Sequence, residues 1–407
     1  MTLKINKYNL VFGGLLLCLV FQNPLEEHII IFKYFDELLG VIGISFIAIY
    51  LLFERNGRIP INYSQCIVML CVFLLGGIIS NVLYMFQPFR YVIIDVITNI
   101  KFFGAMCWGI LIGYKVPIKY IQKTSVFIAR FCTLVLFFLC ILDKLFNIFK
   151  SSDIRYGMKS LQLFYFHPTY LAAALVFLNV ILTVFPIKNN IVYALMNVVM
   201  MILTCRSKAI AAAGVYLLLW YYCMYRGKKI KIAYLALIFG VMVLLAWNHI
   251  RFYYFDLAGK SARSILTLTS FQIAWDYFPL GTGFATFASS EAAIHYSPVY
   301  ELYKLSGEIN PNSHFLNDTF WPIIIGQTGV VGTISYLYIL GMIAKRCFFM
   351  WHSDKGFYTG GLFALIYLMI SSTGEPTFNN SISIPLALIL GIIFMAVAIT
   401  DNKKTFY

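Results

Sequence analysis

The residues equipped to do chemistry are few, and most of them are basic. Arg155-Tyr-Gly157 is followed by His167-Pro168-Thr-Tyr170, Arg206-Ser-Lys208 sits between two apolar runs, Arg263 opens a helical pattern, and His314 precedes Asp318 by four residues. An arginine presents a planar fork of donors that matches phosphate oxygens, and it keeps its charge at any physiological pH. Lys208 adds a point charge or snorkels to a membrane interface. A lone charge such as Arg206, in a connection too short to leave the membrane surface, is costly and is retained for a function or for capping a helix. Pro168 suits the first turn of a helix, so His167 stands beside a helix N-terminus, where it either caps the helix or faces an anion. His314 and Asp318 share a face if a helix already runs through both; a histidine there accepts a proton while the carboxylate fixes its tautomer. The expected catalytic pair is therefore His314 and Asp318. The expected anion-binding set is Arg155, Arg206, Lys208, Arg251 and Arg263, and His167, Tyr170 and His295 are further site candidates.

Some chemistries lack their parts. There is no Asp-x-Asp pair, no Walker loop, no His-Glu-x-x-His and no Gly-x-Ser-x-Gly, so no metal and no cofactor is expected. The nine cysteines lie in or beside apolar runs and give neither a disulfide framework nor zinc spacing.

The elements that must position these residues are membrane helices. The 407 residues are 61% hydrophobic and only 12% charged, with a mean hydropathy of +0.81, which a soluble core has no use for. Apolar runs recur at about 9–22, 38–53, 66–86, 92–114, 125–147, 168–186, 190–205, 208–225, 232–247, 315–344, 357–373 and 382–400, each near the ~20 residues of one crossing. The expectation is an all-α polytopic membrane protein, a single bundle over residues 1–407 with about twelve spans. The net charge of +14 reflects basic cytoplasmic loops, not nucleic-acid binding. Both termini are expected in the cytoplasm, with Lys101 and Arg130 on the cytoplasmic half of their spans.

One long break in hydrophobicity, residues 248–313 between the ninth and tenth spans, then falls on the extracytoplasmic side. Within it Ser261 precedes Ile265, Leu268, Gln272 and Trp275 at helical spacing, and Pro279-Leu-Gly281-Thr-Gly283 forces a bend. This reads as a capped amphipathic helix whose apolar side lies on a membrane surface or packs on other helices. The loop as a whole reads as a lid that carries Arg263 over a membrane cavity.

Taken together and in order, Arg155-Tyr-Gly157 with His167-Pro168, Arg206-Ser207, Arg263 ahead of Trp275 and Pro279-Leu-Gly281-Thr-Gly283, and His314 ahead of Gly329-Val-Val-Gly332 resemble the bacterial O-antigen and capsular polysaccharide polymerases and O-antigen ligases. The resemblance covers about half of the chain. It departs from the family at Lys208-Ala209 and around Ser313-His314-Phe315, where Asp318 shares or takes the histidine's role. It implies a membrane glycosyltransferase at the outer face of the bacterial cytoplasmic membrane. The implied donor is an oligosaccharide on undecaprenyl diphosphate, transferred with inversion and without metal. By position, Arg206 and Arg263 hold the diphosphate and His314 activates the acceptor hydroxyl. A flippase and a chain-length regulator of the same pathway are the implied partners, beside membrane lipid. A ligase working on another acceptor uses the same constellation, and a flippase of lipid-linked sugars is the alternative outside the enzyme class.

Overall fold

The computed structural model describes residues 7–53, 64–149, 153–155, 157–231, 233, 240, 251, 261–305 and 316–404. The chain is built of helices: α1 Lys7–Val20, α2 Gln22–His28, α3 Phe35–Phe53, α4 Ser64–Tyr84, α5 Phe89–Lys115, α6 Ile118–Phe146, α7 Pro168–Val184, α8 Asn190–Leu203, α9 Ser207–Leu219 with a π turn over Trp220–Tyr225, α10 Ala262–Asp276, α11 Ser290–Ile294, α12 Pro298–Leu302, α13 Phe320–Phe349, α14 Lys355–Ser372 and α15 Ile384–Lys404. The sheet found among the described residues is a two-stranded hairpin, β1 Ile154–Arg155 against β2 Met158–Lys159. Six described helices are long and apolar enough to cross a membrane, or seven if the 80° bent pair Asn9–Val20 and Gln22–His28 counts as one span. Eleven of the expected apolar runs fold as helix; the run at 232–247 lies almost wholly outside the described residues.

Apolar content on every side makes α15 the central post. The window over Ser381–Asp401 is 94% buried, as a helix hydrophobic all round must be in a bundle. It packs backbone to backbone on α5, because a Cβ on Gly391 would lie 2.1 Å from the Met106 carbonyl oxygen, and small residues admit such approaches. Helix α3 runs parallel to the lower part of α5, with Asp36 at the level of Lys101 and the Tyr50 ring 5.8 Å from that of Tyr114. Lys101 stands fourteen residues before the end of α5 at Lys115, about 21 Å at 1.5 Å per residue, in a core about 30 Å thick. It stands near the middle of α5, beside the acidic start of α3. Arg130 binds the Asn190 side chain and the Lys188 carbonyl.

The long loop does more than cover the bundle. Its described part has its own apolar core of Leu266, Ile273, Phe287, Val299, Tyr300 and Leu305, closed by Leu316 and Ile323. Helix α10 starts after Ser261 and ends at the bend before Pro279, as its spacing indicates. Its buried side carries Leu266, Ile273 and Ala274, while Leu268, Phe271 and Trp275 are exposed as an apolar stripe. The stretch after the bend enters the bundle. Thr282 N–H donates to the Gly326 carbonyl and Gly283 N–H to that of Gln327, at 3.1 and 2.8 Å. Asn81 of α4 brackets Phe284, accepting from its N–H at 2.7 Å and donating to its carbonyl at 2.9 Å. Asp95 of α5, 1% exposed, accepts from Ala285 N–H at 2.7 Å. Gly281 has φ +74° and Gly329 φ +58°, and each leaves no room for a Cβ against the other's backbone. Gly329 also breaks α13 within its length, where an uninterrupted span was expected.

Candidate functional site

Four short segments bring the expected cations to one place. The first is the turn between α8 and α9. Cys205 takes a left-handed φ of +53° and Arg206 is extended as the N-cap residue of α9. The second is the β1–β2 hairpin, pinned to the end of α6 by Lys159, which meets Asn147, the Phe149 carbonyl and Asp143. It is tied to α8 by Leu161 N–H on the Leu203 carbonyl at 2.9 Å. The third is the start of α10. The fourth is the connection from α14 to α15, held beside α13 by Trp321 Nε1–H donating to Ser372 Oγ at 3.2 Å.

On this frame the basic side chains form a ladder with acidic partners from other segments. Arg206 Nη2 pairs with Asp153 and also meets His167 Nε2 at 2.8 Å. Lys208 Nζ is 2.7 Å from Glu375 Oε1. Arg263 places both Nε and Nη2 on Asp318 Oδ2, at 2.7 and 2.6 Å. Lys208 also lies within electrostatic reach of Arg263 and Asp318, and Arg206 within reach of Arg155 and Glu375. Gly374 marks the junction: a Cβ there would sit 3.2 Å from Arg263 Nη1 and 3.4 Å from Lys208 Nζ. Two cations thus flank one small gap. Arg206 Nε is buried with no hydrogen-bond partner among the described residues. A buried orphan donor beside converging like charges is a configuration that an anion completes.

His167 both caps a helix and belongs to the ladder. Its Nε2 faces Arg206 Nη2, which can only donate, so Nε2 is the acceptor and the ring hydrogen sits on Nδ1, 2.9 Å from Thr169 Oγ1 in the first turn of α7. Burial first, then the Arg206 charge, push its pKa down to about 4, so at neutral pH it is an uncharged acceptor. Tyr170, one turn on, accepts from Asn380 Nδ2 at 3.4 Å and so joins α7 to the α14–α15 connection. Arg155 is more exposed and pairs with Asp153 at 3.3 Å.

The remaining candidates stand elsewhere. Asp318 is not on a helix, because Thr319 is extended (φ −143°, ψ 143°) and α13 begins only at Phe320. Asp318 is instead the partner of Arg263, and His314 lies outside the described residues. His295 stacks on Tyr91 at 3.5 Å between centroids and pairs with Glu291 at 3.5 Å, which docks the loop on α5. Arg251 is exposed, and no described contact joins it to the ladder. Asp153 and Glu375 are the acidic partners of the ladder that sequence reasoning passed over. The one signal for Glu375 was that it is the only ionisable group in its connection.

The fold and site together define a helical membrane-type protein with a cluster of basic side chains balanced by carboxylates. The described residues contain no cluster of His, Cys, Asp or Glu fit to hold a metal ion. In comparisons with protein-family models and with curated proteins, the chain matches none.

Proposed function

We propose that this chain is a polysaccharide polymerase of the bacterial cytoplasmic membrane, joining oligosaccharide repeat units carried on undecaprenyl diphosphate at the outer face. In this reading the bundle spans the membrane about twelve times, with both termini in the cytoplasm. The observation that supports it most directly is the meeting of Lys208, from the start of α9, and Arg263, from α10, at the Gly374 gap, with the buried orphan Arg206 Nε in the same turn as Lys208. A sugar diphosphate is already activated, so the protein need only neutralise the departing diphosphate, align an acceptor hydroxyl and remove one proton. The three carboxylates Asp153, Glu375 and Asp318 balance the cations until the diphosphate replaces them. The proton goes to His314, or to Asp318 once its arginine has turned to the phosphate.

The test is to incubate the purified protein with a lipid-linked repeat unit and resolve the products. A ladder of lengths supports the polymerase, one product on a distinct acceptor supports the ligase, and transport without a new bond supports a flippase. Arg206→Ala and Arg263→Ala should each lower turnover about 100- to 1000-fold, the usual cost of one electrostatic donor. Near-normal product from both variants would remove the assignment.

A further inference from the structure

A second concentration of buried charge lies on the far side of Tyr170, which is within electrostatic reach of Glu375 in one direction and of Glu26 and Lys101 in the other. Asp36 and Glu37 open α3 and meet Lys101 of α5, whose Nζ is 2.5 Å from Asp36 Oδ2 and 2.7 Å from Glu37 Oε1. The side chains of Lys101 and Asp36 are each 4% exposed. Gln22 of α2, also fully enclosed, donates from Nε2 to Asp36 Oδ1 at 3.1 Å, to Glu26 Oε1 at 3.2 Å and to the Phe32 carbonyl at 3.4 Å. Three acceptors around one end of the amide identify that end as nitrogen.

The balance of donors and charge in this cluster does not close. Three carboxyl groups share a single ammonium. Asp36 and Glu37 close on the same Nζ, and two ionised carboxylates offer only acceptors to one another. Glu37 Oε2 and Gln22 Oε1 are buried acceptors with no donor among the described residues. The Asp36 side chain is enclosed and that of Glu37 is 25% exposed, and two carboxyl groups held this close favour keeping one proton between them.

We propose that Asp36 and Glu37 form a proton-binding site within the bundle, one proton being shared by the two carboxyl groups while Lys101 neutralises the charge that remains. The groups facing the pair are Lys101 from α5 and Glu26 from α2, with Tyr170 of α7 behind them. The proton comes from solvent and needs no co-reactant. A cavity of about 30 Å³, lined by Gln22, Asn23, Tyr170 and Ser381 among others, adjoins the cluster. Its size is that of a single water molecule, and it gives the cluster a polar neighbour on the Gln22 side. The site stands on its own geometry, whatever reaction the ladder performs.

Infrared spectroscopy of the purified full chain in lipid nanodiscs tests this directly. At neutral pH the wild type should show a protonated-carboxyl carbonyl band that Asp36→Asn and Glu37→Gln each remove and Glu26→Gln leaves. No such band in the wild type, or a band removed only by Glu26→Gln, overturns the proposal. A second readout is the melting profile against pH. The folded pair keeps a proton that unfolded carboxyls release above their ordinary range, so wild-type stability falls as pH rises through that window. Glu37→Gln, a neutral mimic of the protonated acid, should fold and lack this slope; profiles parallel to wild type would refute the shared proton.

Discussion

Adding one methyl group at Gly374 tests whether the ladder is an anion site. The new Cβ would stand 3.2 Å from Arg263 Nη1 and 3.4 Å from Lys208 Nζ, close to the separation at which an anion oxygen would accept from both. Both contacts are to the ends of long side chains, which yield by a few tenths of an ångström, so the fold tolerates alanine. The anion does not, because its place is taken. Loss of one charge-assisted hydrogen bond costs about 1.5–3 kcal/mol, roughly 10- to 150-fold in affinity. The assay is calorimetric binding of inorganic diphosphate to purified Gly374→Ala and wild type, with melting temperature as the check on folding. Gly341→Ala, whose Cβ meets nothing within 4 Å, serves as the control. Equal affinity of Gly374→Ala and wild type would show that the gap holds no anion.

Three further outcomes are expected. Asn81→Ala orphans the buried backbone groups of Phe284 at about 1–3 kcal/mol each, and hydrogen exchange over residues 281–289 should rise while that of α6 does not. Gly281→Ala forces a side chain into a left-handed conformation costing about 1–2 kcal/mol and drives its Cβ against the Gly326 carbonyl at 2.5 Å, so a lower yield of folded protein should follow; a normal yield would show that the loop docks otherwise. His167, with its pKa pushed down to about 4, contributes stability that is complete above its ordinary value near 6.5 and is lost as pH falls toward about 4. Melting curves across that window should slope less in His167→Gln than in wild type, and identical slopes would show that burial does not lower the His167 pKa in the folded chain.

How far the sequence reaches follows from how local each cause is. Hydrophobic run length is a local property, and the described runs do fold as helices. The N-cap at His167 and the bend after Asp276 depend on neighbours within a few residues, and they too were legible. The reading of Asp318 also turned on a local cause: a face shared with His314 required a helix through both residues, and α13 begins beyond Thr319. The acidic partners were hidden for the opposite reason. Arg206 finds Asp153 across 53 residues and Lys208 finds Glu375 across 167, and nothing in either neighbourhood records the other. The glycine motifs belong with these, since Gly281 and Gly329 are explained only by each other.

The clasp around Phe284 and Ala285 also bears on how the chain is made. Asn81 and Asp95 enter the bundle on α4 and α5, while their partners come 203 and 190 residues later. At about 5–20 residues per second, these two polar groups wait on the order of 10–40 s after synthesis before a partner exists. Until then α4 and α5 are an unfinished hairpin with an amide and a carboxyl open to whatever the membrane offers. The segment 281–289 is thus a late assembly step that fixes early helices, and synthesis arrested before it should leave α4 and α5 exposed to membrane proteases and insertases.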